Sequence, residues 1–140
     1  MKNKNKNRIF YLEGYKYQLF EDYFHVLPYN FDEVPKFELS FIKFQPSILT
    51  IKKGYAWDGA SGIAIDTKNF MRGSLVHDAL YQCMRLGKIP VSYRKLCDEE
   101  LKKIIREDGM GSIRSNYVYD AVRIFGENSA IEKKKILTAP

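Results

Sequence analysis

Asn69–Leu86, NFMRGSLVHDALYQCMRL, is the stretch whose reading sets the fold class. Its apolar residues come in pairs, Phe70-Met71, Leu75-Val76, Ala79-Leu80 and Cys83-Met84, which recur at the interval of an amphipathic helix. The spacing predicts a helix over 69–86, with Asp66 or Thr67 as its N-cap and Gly87 as its stop. Upstream the period is different. IFYLEG, YKYQLFEDYFHVL, KFELSFIKF and SILTIKKGYAW are rich in β-formers with partial alternation, and Gly14, Pro28, Pro35, Pro46 and Gly54 break them apart. Read as one strand, KFELSFIKF puts Phe37, Leu39 and Phe41 on one face with Lys43, and Ile42 and Phe44 on the other. Downstream, a second helix follows Ser92 with an apolar stripe of Leu96, Leu101, Ile104 and Ile105, ending near Gly109. A third runs over 113–125, with Ser112 as its cap and Gly126 as its stop. Strands followed by helices predict an α+β domain: a small N-terminal antiparallel sheet, of about three to five strands, packed against about three C-terminal helices. Short connections make neighbouring helices antiparallel.

The chain has 140 residues and a hydrophobic fraction of 45%, enough for one domain with a real core. Residues 1–7 read as a flexible basic arm, 8–126 as a single domain and 127–140 as a C-terminal tail. Much of the net charge of +6 lies in the two ends, at Lys2, Lys4, Lys6 and Arg8 and at Lys133, Lys134 and Lys135. Such runs are usually solvated tails, and they could also weakly favour anionic membranes or nucleic acid. No basic recognition helix, zinc finger or RNA-binding sheet signature accompanies them, so a nucleic-acid partner is not expected. Cys83 and Cys97 are too few and too widely spaced for a disulfide framework or a zinc site, and are expected as buried thiols. No apolar run spans a bilayer, and the basic N-terminus leads into no signal-peptide core.

Polar residues interrupt the first helix where core is expected. Tyr81 lies four residues beyond His77 and three beyond Asp78, so it flanks both, whereas His77 and Asp78 point about 100° apart. The imidazole of His77 can act as a general base toward water, its second ring nitrogen fixed by Asp98 on the antiparallel second helix. Asp78 and Asp58 can supply carboxylate oxygens to a hard cation such as calcium, with carbonyls from the turn at Gly59 and Ser61. A cation there would polarise an ester carbonyl. Each element has a plainer reading as well. A His-Asp pair is commonly structural, Asp-Gly is a common turn, and Arg94 and Asp98 are spaced as an ordinary helical ion pair.

The ordered set from Gly54-Tyr55-Ala56-Trp57-Asp58-Gly59-Ala60-Ser61 through Leu75-Val76-His77-Asp78-Ala79-Leu80-Tyr81 and Arg94 with Asp98 to Ala121-Val122-Arg123-Ile124-Phe125-Gly126 resembles domain-of-unknown-function family 1353. That family is found in bacteriophages and prophages. The resemblance implies a phage-linked origin, other phage proteins as partners, and the host cytoplasm or the virion as location. Asp58-Gly59-Ala60-Ser61 followed by His77-Asp78 and Tyr81 is also similar to the calcium loop and catalytic helix of phospholipase A2 enzymes, especially prokaryotic ones. That likeness implies His77 as general base, Asp78 as calcium ligand, Asp58 and the loop carbonyls completing the site, Asp98 orienting His77, and a lipid or membrane surface as partner. This chain departs from the pattern at Ala60, where the phospholipase loop has cysteine, and lacks a cysteine preceding His77. Against the hydrolase expectation stands a non-enzymatic phage component in which the same cluster braces sheet against helices.

Overall fold

The computed structural model describes residues 8–12, 17–59 and 67–131. Antiparallel strands fill the first half and helices the second, which makes the fold α+β. The strands form two sheets. One orders β1 (Tyr11–Leu12), β2 (Tyr17–Leu19) and β7 (Ala56–Trp57) as β1-β2-β7. The other orders β3 (Tyr23–Val26), β4 (Phe37–Glu38), β5 (Ile42–Gln45) and β6 (Ile48–Ile51) as β3-β6-β5-β4.

The segment KFELSFIKF is a hairpin rather than one strand. Phe37 pairs with Phe44 and Glu38 with Lys43, around a tight turn in which the Leu39 N–H donates to the Ile42 carbonyl. Folding back lets Phe37 stack on Phe44, ring centroids 5.5 Å apart, and leaves Phe41 exposed on the turn. Strict alternation fails here because the chain reverses inside the apolar run.

The helices are α1 (Lys68–Arg85), α2 (Arg94–Glu107), α3 (Ser112–Phe125) and a one-turn α4 (Glu127–Ala130). Thr67 occupies the N-cap position of α1, but its hydroxyl bonds the Asn69 side chain rather than the helix backbone. Gly111, not Ser112, is the N-cap of α3. Gly87 and Gly109 end α1 and α2 with positive φ, and in each case the next amide reaches back to Cys83 O or Ile105 O. Gly126 is different. Its φ is −81°, and the chain continues into α4, whose Ala130 is buried in the main core. Cys83 and Cys97 are free, buried thiols as expected.

The main core joins both sheets to α1, with Leu19, Phe44, Leu49, Ile51, Leu75 and Leu80 among its members. A second cluster of Phe70, Leu101, Ile105, Met110, Val118 and Val122 joins α1, α2 and α3. Helix α2 lies antiparallel on α1, as the partners of Arg72 at Asp108 and of His77 at Asp98 show. Close approach is possible because residue 73 is glycine. A Cβ there would sit 2.7 Å from Ile105 Cγ2 and 2.9 Å from Leu101 Cδ1. Gly73→Val should therefore overpack this interface and cost about 2–3 kcal/mol, read as a lowered urea midpoint. An unchanged midpoint would show that the two helices have room to spare.

Candidate active site: a buried carboxylate shared by three helices

Two short-range constraints bring the site together. The first is Trp57, at the end of β7. Its indole N–H donates to Ser74 Oγ on α1 at 3.0 Å, and that hydroxyl donates in turn to Met71 O. Asp58 and Gly59 follow immediately, so the strand end is delivered one helical turn before Asp78. The Asp58 backbone N–H donates to the Asp78 carboxylate. Asp58 is exposed, Asp78 partly buried, and Gly59 carries a positive φ of 75°. Ser61, the other expected loop ligand, lies outside the described residues, as does Asp66.

The second constraint is the packing of α2 on α1. His77 Nε2 lies 2.7 Å from Asp98 Oδ1, and the Tyr81 hydroxyl donates to the same oxygen at 2.5 Å. The His77 and Tyr81 rings lie against one another with centroids 4.1 Å apart. On the opposite side, Arg123 Nη1 of α3 donates to Asp98 Oδ2 at 2.7 Å. Arg94 Nη1 is 3.5 Å from that oxygen, 3.3 Å from the Tyr81 hydroxyl and 3.1 Å from Val122 O, while its Nη2 donates to Arg123 O at 3.1 Å. Asp98 itself has no solvent exposure.

Burial alone would raise the Asp98 carboxyl, but the hydrogen bonds from His77 and Tyr81, with the Arg123 guanidinium, outweigh it and hold the group below the ordinary carboxylate range. An ionised Asp98 accepts only, so Nε2 carries a proton, and it is Nδ1 that bears the lone pair in the neutral ring. Nδ1 has no hydrogen-bond partner among the described residues, and the His77 side chain keeps 10% exposure. Burial, followed by the hydrogen bond to Asp98, pushes the Tyr81 phenol upward, so it remains a proton donor.

Asp78 behaves oppositely. Burial is the main reason its carboxyl is pushed up to about 6, and the charge of Asp58 adds to the rise. His77, Arg85 and the Asp58 N–H partly offset it. Tyr55, buried beside this pair, is raised by burial and by the charge of Asp78. Asp58 and Asp78 are thus two neighbouring carboxylates with a mutual repulsion that a cation would relieve. Among the described residues, no three His, Cys, Asp or Glu side chains gather into a metal-binding group.

The structure joins His77, Tyr81, Asp98 and Arg94 in one network and sets Asp58 and Asp78 beside it, with Gly59 at the adjoining turn. Arg94 is more than an ion-pair partner, since it also ties α2 to the end of α3. Residues given no part in the site from the sequence also contribute: Arg123, Tyr55, Arg85 and Gly126. A Cβ on Gly126 would lie 2.4 Å from Val122 O and 2.8 Å from the Tyr81 hydroxyl, so this glycine serves the fit of the network. A second buried chain was not anticipated either. Glu100 Oε2 meets His25 Nε2 at 2.6 Å, His25 Nδ1 meets the Tyr23 hydroxyl at 3.0 Å, and Arg72 donates to that hydroxyl at 2.8 Å. Arg72 also forks onto Asp108. The signal available was the i, i+2 placement of Tyr23 and His25 on one strand face.

Comparisons with protein-family models, with curated proteins and with solved structures return no match.

Two substitutions should move stability in opposite directions. Asp98→Asn removes the charge that four groups share and should cost about 3 kcal/mol at neutral pH by thermal or urea unfolding. Asp78→Asn should stabilise instead, by about 1–2 kcal/mol above pH 6. The sign follows from a folded-state carboxyl at about 6 against an ordinary 3.8. The folded chain holds a proton there that the unfolded chain has lost, so stability is full below about pH 4 and falls as pH rises through about 6. The gain in Asp78→Asn should accordingly vanish below about pH 4.

Proposed function

We propose that this chain is a calcium-supported hydrolase of ester bonds, lipid esters being the favoured substrates, with a phage-linked origin. The observation that carries the reading is the direction of the imidazole. His77 spends Nε2 on a buried, ionised Asp98 and, among the described residues, keeps the basic Nδ1 uncommitted, which is how a general base toward water is prepared. Nδ1 would take a proton from water as the oxygen attacks the ester carbonyl. Asp98 would stabilise the resulting imidazolium, and Tyr81 and Arg123 would keep Asp98 in position. The proton would then pass from His77 to the departing alkoxide. Asp78 and Asp58 would hold the calcium ion, which when bound polarises the carbonyl and stabilises the oxyanion. The local similarity of Asp58-Gly59-Ala60-Ser61, His77-Asp78 and Tyr81 to phospholipase A2 supports this assignment of roles.

A second reading is favoured by the completeness of the Asp98 shell. A carboxylate without exposure that binds groups from three helices is what a bracing element requires. In that case the chain is a virion component or phage accessory protein, and the cluster serves stability.

Hydrolysis of a fluorogenic phospholipid and of a short-chain ester, with calcium and with chelator, separates the two. His77→Gln keeps a donor toward Asp98 but has no basic nitrogen. Calcium-dependent turnover that falls at least about a hundredfold in this variant, with a small change in Tm, is the expected result. Absent turnover, or equal turnover by the variant, would reject the enzyme and leave the bracing role. Calcium should also raise Tm above pH 6 in the parent chain and not in Asp78→Asn.

A further inference from the structure

We propose that the open edge of β3 is a docking surface for the chain's own N-terminal segment. Residues 4–7 add to that edge as a further strand, continuing β1 backward in its own register.

Among the described residues β3 ends its sheet, paired only with β6. Its outward side chains, Phe24 and Val26, are each 62% exposed, while Tyr23 and His25 turn inward. From the pair Tyr17–Trp57 to the pair Tyr23–Ile51 both strands advance six residues, so β2 and β3 belong to one run on a single register. The bend at residues 20–21 leaves the alternation intact: Leu19, Tyr23 and His25 are buried, whereas Phe20, Phe24 and Val26 are exposed. Backbone groups alternate likewise. The Leu19 and Leu27 amides donate to Tyr55 O and Ser47 O, toward β7 and β6. The Phe20 amide donates the other way, to Phe10 O at 2.6 Å, and the N–H and C=O groups of Phe24 and Val26 share its direction. The strand β1 therefore lies on the side where β3 is open. It pairs Leu12 with Gln18 and Tyr11 with Leu19, and Phe10 follows with Phe20. Continued backward, this register sets Arg8 against Asp22, Asn7 against Tyr23, Lys6 against Phe24, Asn5 against His25 and Lys4 against Val26.

The composition of the segment suits this edge. Residues 2–7, KNKNKN, alternate with the period of a strand, and the register turns the asparagines inward and the lysines outward. Inward lies a cleft of about 620 Å³ lined by Arg8, Ile9, Asn69, Met71, Arg72 and Asp108, whose donors and acceptors match a carboxamide. Arg72 bonds the Tyr23 hydroxyl, so the cleft adjoins β3. Ile9, inward in the same alternation, packs against the main core. Outward, Lys6 meets the exposed ring of Phe24, much as Lys53 Nζ lies 5.7 Å from the centre of the Phe20 ring. Arg8 faces the opposite charge of Asp22. Seven extended residues reach about 23 Å, ample for a four-residue strand. Covalent attachment gives the segment a local concentration that a separate partner lacks, and lysines on the new edge discourage yet another strand. Docked there, the segment covers the cleft and closes the buried chain of Glu100, His25, Tyr23 and Arg72 from water.

The test follows the full, isotope-labelled chain by NMR, with light scattering on the same samples to give the mass. The Phe24 and Val26 amides, donating to Lys6 O and Lys4 O, are expected to exchange with solvent at least about a hundredfold more slowly than free amides. The intervening pairs bring Cα atoms to about 4.5 Å, so Asn5 Hα should show a strong nuclear Overhauser contact to His25 Hα, and Asn7 Hα to Tyr23 Hα. Two proline variants check the register. Lys6→Pro removes the N–H that serves Phe24 O and should return both amides to free exchange. Asn5→Pro loses an N–H that points away from β3 and should keep the protection within about tenfold of the parent. Slow amides in β5 and β6 report that the fold is retained in both. Free exchange at Phe24 and Val26 in the parent chain, absence of the two Hα contacts, or equal loss in the two variants would overturn the proposal. Protection found only in a dimer, and fading on dilution, would also overturn it and assign the edge to a second copy.

Discussion

The carboxylate of Asp98 is the constraint on which the helical half depends. A charge removed from water is costly by several kcal/mol unless its lone pairs are filled by good donors. Here each oxygen has two partners. Oδ1 receives His77 and Tyr81 from α1, and Oδ2 receives Arg123 from α3 with Arg94 from the turn before. The donors come from three helices, so meeting the needs of one group fixes how all three cross. Apolar packing among Leu101, Ile105, Val118 and Val122 supplies most of the adhesion, but such contacts tolerate sliding far better than charged hydrogen bonds do.

The same shell explains why a histidine here is chemically distinctive. An imidazole bonded on both nitrogens would be inert structure. Among the described residues His77 is bonded on one, with its partner held ionised by surrounding donors, so Nε2 carries a proton and Nδ1 is the nitrogen left to act. Its neighbour Asp78 is one helical step around, where burial and Asp58 raise rather than lower its carboxyl. Two carboxylates beside the same helix thus experience opposite electrostatics, because Asp98 is met by donors from α1 and α3 whereas Asp78 meets burial and the charge of Asp58.

Much of this was legible from sequence. The change of period at residue 69 predicts strands then helices, and the i, i+3 and i, i+4 spacing of His77, Asp78 and Tyr81 predicts their separate directions. Pairing His77 with Asp98 required only antiparallel neighbours. What escaped is instructive. The hairpin at 36–44 shows in the sequence only as a change of phase, from Phe37-Leu39-Phe41 to Ile42-Phe44, with no Gly, Pro or Asn to mark the reversal. Arg123 lies 25 residues from Asp98 on a face that local pattern reads as mere amphipathic edge. Gly126 looks like a helix stop, yet its reason is steric room for Tyr81 and Arg94, information that exists only once α3 is docked. Local propensity names the elements, and the polar pairs between them emerge from packing.

The two histidines of the chain are both bound by acids of one helix, His77 by Asp98 and His25 by Glu100, only two positions apart. Residues at that spacing face nearly opposite sides of a helix, one toward α1 and the other toward β3. Helix α2 is therefore keyed twice, like a shaft held by two pins set at different angles. Neither a rotation about its axis nor a shift along it can satisfy one pin while keeping the other. Apolar side chains along α2 can be exchanged for others of similar volume, but the interval between its two acids cannot change. Insertion or deletion of one residue between them would turn one carboxylate about 100° away from its histidine, leaving it buried with no counterpart.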